Sequence, residues 1–102
     1  MRIGRVLGTV TMSSRRLEQL PRGRWLIVEA LDAKALRGLD RGESRATPMP
    51  ESLVVYDELG AGAGQIIAIS EGREACQPFD PRRVPIDAYC AAILDTVQLT
   101  TD

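Results

Sequence analysis

The residues that could carry chemistry in this chain fall into three groups. They are a glycine-rich run, Gly60-Ala61-Gly62-Ala63-Gly64, carboxylates at Asp57, Glu58, Asp87 and Asp95, and two cysteines, Cys76 and Cys90. A glycine-rich run cradles phosphate when it ends in Lys-Ser/Thr and leads into a long helix, whose N-terminal N–H groups then face the anion. This one leads into Gln65-Ile66-Ile67-Ala68-Ile69, so the residues favour a tight turn that needs positive φ or close backbone approach. Paired carboxylates can share acid and base work when their surroundings separate their pKa values. Asp57 and Glu58 instead precede a tight loop and Asp87 stands where it can cap a short turn, positions that suit structural hydrogen bonding. The cysteines lack a Cys-x-x-Cys spacing, and the chain contains no histidine. That absence removes the commonest general base, the usual triad member and the favoured zinc ligand together. Neither a catalytic centre nor a metal or cofactor site is expected, and the thiols read as packing groups.

Charge and aromatic content narrow the partners. Lys plus Arg total 13 and Asp plus Glu 14, leaving no basic excess to grip a phosphate backbone. Trp25, Tyr56, Phe79 and Tyr89 are too few and too scattered along the chain to predict the stacking platform of single-strand binders. Trp25 reads as packing, with Arg24 placed to cover its ring. Nucleic acid is therefore not an expected partner. Nor is a membrane, since no run approaches the roughly 20 apolar residues of a spanning helix. Met1-Arg2-Ile3-Gly4-Arg5 passes directly into strand-like sequence without the apolar core of a secretory signal, which predicts a cytoplasmic protein. At 102 residues, 44 % apolar and 26 % charged, the chain fits one globular domain over 1–102.

The elements that must position these residues are short. Arg2 to Met12 reads as a strand with Gly4, Val6, Gly8, Val10 and Met12 on one face. Gly4 and Gly8 on that face permit a sharp bend or the approach of another backbone, as a small curved barrel requires. Ser13 to Gly23 reads as an exposed turn, and Trp25 to Leu31 as a strand with Leu26, Val28 and Ala30 aligned. Asp32 to Pro50, with its glycines and prolines, reads as a long loop. Leu53 to Leu59 and Gln65 to Glu71 read as two strands forming a hairpin across the glycine run. Gly72 to Gln77 allows one helical turn, after which Pro78, Pro81 and Pro85 prevent a long regular element. Asp87 to Cys90 reads as a capped helical stretch and Ala92 to Leu99 as the last strand. The count predicts an all-β, five-stranded OB-like barrel with one or two short helical turns.

Trp25-Leu26-Ile27-Val28, Leu53-Val54-Val55 and Ile66-Ile67-Ala68-Ile69 are apolar on both faces, whereas a lone antiparallel barrel alternates apolar inside with polar outside. Something must cover the outer face, and a neighbouring subunit is the expected cover because the chain has few spare segments.

In order along the chain, Arg5-Val6-Leu7-Gly8-Thr9-Val10, Gly23-Arg24-Trp25-Leu26-Ile27-Val28, Leu53-Val54-Val55-Tyr56-Asp57, Gly60-Ala61-Gly62-Ala63-Gly64-Gln65, and Pro85-Ile86-Asp87-Ala88 followed by Ala92-Ile93-Leu94-Asp95 form a set that resembles the pentameric vertex proteins of bacterial microcompartments, the EutN/CcmL family. The resemblance implies a barrel that assembles as a homopentameric ring, closes the five-fold corners of a polyhedral shell alongside hexameric shell proteins, and has no catalytic site. It places Gly60, Ala61, Gly62, Ala63, Gly64 and Gln65 at subunit contacts near the ring axis, with Gly62 expected where a β-carbon would clash or force a disallowed backbone angle. Arg15, Arg16, Arg82 and Arg83 are the expected rim contacts, since Arg recognises carboxylates and carbonyls at polar edges. Three positions depart from the family pattern: Gln65 replaces the usual Glu, Arg15 and Arg16 stand where Lys is common, and Asp32 to Pro50 is longer than the usual connection. The residues alone also allow an OB-type module for nucleic acid or oligosaccharide, or a small enzyme with a carboxylate or cysteine site.

Overall fold

The computed structural model describes residues 1–12, 23–43, 45 and 47–100. The turn expected between Ser13 and Gly23 lies, apart from Gly23, outside the described residues, and with it Arg15 and Arg16. Five strands, β1 (Arg2–Val10), β2 (Arg24–Ala30), β3 (Ser52–Asp57), β4 (Ile66–Glu71) and β5 (Ala88–Leu94), close into a barrel in the order β1-β2-β3-β5-β4. All pairings are antiparallel except β3 with β5, which meet in parallel at Tyr56 and Tyr89. Helix α1 (Ala33–Asp40) lies between β2 and β3; helix α2 (Arg73–Cys76) and a 3-10 turn (Gln77–Phe79) lie between β4 and β5.

Period-two alternation fills the barrel. Leu26 and Val28 from β2, Val55 from β3, Ile67 and Ile69 from β4 and Cys90 from β5 are fully buried, with Val6 of β1 among them. Each buried Leu, Ile or Val contributes about 1.5–3 kcal/mol, so this interior dominates the stability. Gly4 is required by the fit: a β-carbon there would run into the Val28 side chain and lie 2.9 Å from both the Glu29 carbonyl oxygen and Ile69 Cδ1. The bend forms further along, where a bulge between Val6 and Gly8 breaks the β1–β2 register. It reverses the expected alternation, because beyond it Gly8 and Val10 pair with the outward-facing Ile27 and Trp25.

Four expectations need correction. β3 and β4 are not a hairpin: β4 pairs with β1 and β5, because the eight residues between the strands carry the chain across the barrel end with Ala61 buried in the core. The Asp32–Pro50 loop contains α1, started by the Asp32 carboxylate accepting from the Ala35 N–H at 2.8 Å. Asp87 to Cys90 is not helical; β5 begins at Ala88, since the barrel closes only if this segment fills the gap between β4 and β3. β5 then stops at Leu94, opposite Ile66, where β4 has no further residue to pair.

The outer face is covered partly by the chain itself. Ala75, Phe79 and Ile86 form a second core with Tyr56, with Trp25 and Tyr89 packed against it. Leu7 and Val54 stay 41 % exposed, and Val54 lies directly opposite the half-buried Ile27, so an apolar stripe remains across the middle of β1, β2 and β3.

Candidate functional site

Asp57 ends β3 with its side chain fully buried, and that carboxylate organises the glycine-rich loop. Oδ1 accepts from the Leu59 N–H at 2.9 Å, and Oδ2 accepts from Gly60 at 3.0 Å and Ala61 at 2.8 Å. Three consecutive amides that could have faced a phosphate are thus turned onto the protein's own anion, which closes the phosphate-cradle reading on physical grounds. Arg24 Nη2 donates to the Ala61 carbonyl at 2.8 Å and stands 4.0 Å from Asp57 Oδ2. Its guanidinium serves the loop, a different role from the expected cover over Trp25.

The far end of the loop is tied as firmly. Gln65 Oε1 accepts from the Gly62 N–H at 2.6 Å, and the Gln65 N–H donates to the Gly62 carbonyl at 3.1 Å. Gly64 donates to the Val6 carbonyl at 2.8 Å and Val6 donates to Gln65 at 2.9 Å, fixing the loop to β1. An amide supplies the acceptor as well as a carboxylate would, so Gln65 in place of Glu keeps this contact and removes a charge. The positive φ values belong to Gly60 (+86°) and Gly64 (+89°). Gly62 does not share them, and a β-carbon there would meet only Gln65 Oε1, at an ordinary 3.8 Å. Within the chain, Gly62 is therefore not the constrained glycine; the peptides on either side of it turn the backbone.

The remaining candidates are structural or apart. Cys90 is buried, and burial first, then the charge of Asp57, pushes its thiol up to about 12, which leaves no thiolate nucleophile at neutral pH. Cys76 donates to the Ile86 carbonyl at 2.9 Å and so pins the segment ahead of β5. The Tyr89 hydroxyl donates to Glu58 Oε1 at 2.7 Å, and burial and that bond raise it to about 12. Asp87 contributes its backbone carbonyl, which accepts from the Gly72 N–H at 2.9 Å. Asp95 is exposed beyond β5. No carboxylate pair is assembled among these groups. Arg82 and Arg83 are exposed on the turn after Phe79, away in sequence and element from the Gly60–Gln65 loop.

The four aromatics, scattered in sequence, are brought together. Trp25 meets Tyr56 edge-on with centroids 5.1 Å apart, Tyr56 meets Phe79 at 5.9 Å, and Phe79 meets Tyr89 at 5.6 Å. Tyr56 and Phe79 are buried, so the rings pack on one another and present no open stacking platform. Sequence reasoning missed this cluster because it forms only when the barrel sets Trp25, Tyr56 and Tyr89 side by side and the 3-10 turn brings Phe79 onto them.

Comparison with known proteins accords with the ordered motifs. Residues 1–95 match the family described as "Ethanolamine utilisation protein EutN/carboxysome". The chain is 34 % identical over 98 residues to the bacterial microcompartment shell vertex protein GrpN of Rhodospirillum rubrum (strain F11), covering 96 % of this chain and 97 % of that protein. The solved structure described as the GrpN pentameric microcompartment shell protein from Rhodospirillum rubrum superposes with a TM-score of 0.71 at 30 % identity, over 98 % of this chain and 100 % of that one. Gloeobacter violaceus CcmL gives a TM-score of 0.74 at 29 % identity, over 97 % and 90 % of the two chains. Likeness that runs from β1 through β5, in sequence order and in barrel geometry alike, has one consequence: the chain belongs to the EutN/CcmL family.

Proposed function

We propose that this chain is a structural shell protein, five copies of which form a ring that closes the five-fold corners of a polyhedral bacterial microcompartment in the cytoplasm. The observation that carries the reading is the end-to-end likeness to GrpN, in sequence and in a solved pentameric shell structure. A flat sheet of hexagons cannot close, and pentagons supply the missing angle, so curvature rather than catalysis is the activity. A ring requires a head-to-tail interface whose rotation closes after a fixed number of copies. The Leu7, Ile27 and Val54 stripe offers an apolar surface for that contact.

In this reading Gly60 to Gln65 form the axis loop, held rigid by Asp57 and Gln65 so that five copies present the same backbone to one another. Arg15, Arg16, Arg82 and Arg83 face the hexameric shell proteins at the rim. A vertex touches several tiles at once, so each edge contact can be weak while the joint attachment is strong; isolated pentamers then bind isolated hexamers poorly. The test is electron microscopy of shells assembled in cells with and without this chain. Open corners or elongated shells without it are expected, and regular closed shells without it overturn the reading.

A further inference from the structure

The Asp32–Pro50 segment, longer than the connection the family pattern leads one to expect, builds a cleft beside α1. The cleft, of about 730 Å³, opens between α1, Arg5 of β1, Arg45 and residues 47–50. Lys34, Arg37 and Arg41 line it, and their spacing of three and four residues sets them in a row along one side of the helix. The row spans about 10 Å at the helical rise per residue. Among the described residues, none of the three has an ion-pair partner.

Arg5 and Arg45 also line the cleft, and both pair with Glu29, which is buried behind them; the Arg5 contact is 3.5 Å. Arg45 Nη1 and both Glu29 carboxylate oxygens are buried without a hydrogen-bond partner among the described residues, so this pair meets as an ion pair and the Lys34–Arg37–Arg41 row is the part of the lining left to a ligand. The acidic lining residues are Asp32, whose carboxylate already caps α1, and Glu43. Five cationic groups against Glu29, Asp32 and Glu43 leave an excess of two positive charges, in a chain whose net charge is −1. Pro48, Met49 and Pro50 supply an apolar part of the lining.

We propose that this cleft binds a small organic anion with two anionic groups, of the phosphate-ester or diphosphate class. Its charges lie on the Lys34–Arg37–Arg41 row and its carbon skeleton against Pro48 to Pro50. The volume falls within the roughly 300–1,000 Å³ of small-ligand sites. Guanidinium forks suit phosphate oxygens in bidentate fashion. A row of about 10 Å accommodates two phosphate groups, while the chain's net charge provides no long-range attraction for a polymeric polyanion. The site is independent of the vertex reading, because nothing in it needs a second copy.

Isothermal titration of the full chain with inorganic pyrophosphate and with ADP, at about 0.15 M salt, tests the proposal. Saturable binding of either probe at one equivalent per chain is expected. The pair Arg37→Glu/Arg41→Glu should weaken it at least about tenfold, and Arg73→Glu, on α2 outside the cleft, should leave it unchanged. Native mass is read on each variant; if the double reversal disturbs assembly, Arg37→Gln/Arg41→Gln replaces it under the same criterion. Absence of binding by both probes up to about 10 mM, binding retained in the double variant, or equal loss in Arg73→Glu each overturns the proposal. An assembly defect in the cleft variants with no binding by the parent also overturns it, identifying the cleft as a subunit contact.

Discussion

Replacing Asp57 by Asn removes one charge and one acceptor oxygen from the base of the glycine-rich loop while keeping the volume. In the parent, two oxygens accept three amides, from Leu59, Gly60 and Ala61, at 2.9, 3.0 and 2.8 Å. Asn retains one oxygen. Turned to Gly60 and Ala61, it sets its own NH2 against the Leu59 N–H, so two donors face each other and one is left unpaired. An unsatisfied buried donor costs about 1–3 kcal/mol, and the two surviving bonds lose charge assistance that roughly doubles their strength. Together these give a loss of about 2–4 kcal/mol, a large part of the 5–15 kcal/mol typical of a domain. At about 4–8 °C per kcal/mol for a chain of this size, the unfolding midpoint falls by at least about 8 °C. The assay is thermal unfolding of parent and variant at one protein concentration, since assembly makes the midpoint concentration-dependent. Amide hydrogen exchange at Gly60 and Ala61 reads the loop directly. A midpoint within about 2 °C of the parent, with those amides still protected, would refute the claim that Asp57 organises the loop.

Three further outcomes follow from the same geometry. Gly60→Ala and Gly64→Ala, at φ of +86° and +89°, should each cost about 1–2 kcal/mol of backbone strain by denaturant unfolding, whereas Gly62→Ala should stay within about 0.5 kcal/mol; Gly62→Val then reports on a neighbour, because loss of assembly with the chain still folded is the mark of a subunit contact at this loop. Cys90 and Tyr89 are both held at about 12 in the fold, against ordinary values of 9.0 and 10.0. Raised values mean that the folded state holds these protons more tightly, so their stabilisation is complete below pH 9 and is lost as pH rises from 9 toward 12. Unfolding midpoints across that window check the sign, and thiol titration at pH 8 should modify Cys90 only after unfolding. Val54→Asp, on the exposed stripe opposite Ile27, should leave the barrel folded by circular dichroism and reduce the ring to smaller species by native mass spectrometry.

Where burial follows a period of two, the fold is legible: Leu26, Val28 and Ala30 announce one inward face, and Gly4 on the same side of β1 announces a close approach. The bulge after Val6 is invisible to such counting, because one extra residue changes the register without changing composition, and so Gly8 and Val10 are misassigned. Helix α1 was within reach, since Asp32 is an N-cap followed by Ala33-Lys34-Ala35-Leu36-Arg37, good helix formers; Gly38 and the prolines beyond it obscure the signal. β5 was legible in part: Ala92 to Leu94 fall within the expected last strand, but its start at Ala88 is selected by the open gap between β3 and β4, a property of the closed barrel. The loop's glycines were visible as a turn, but which of them need positive φ depends on the Asp57 and Gln65 contacts. Pairings that join distant segments, such as Arg5 and Arg45 on Glu29 or Tyr89 on Glu58, have no local signature at all.

The ring itself is tested most directly by native mass spectrometry of the purified chain at micromolar concentration. Five copies of an 11.2 kDa chain give a dominant species of 56 kDa. A dominant monomer, dimer or hexamer in place of that mass would contradict the assignment of this barrel to a five-fold corner.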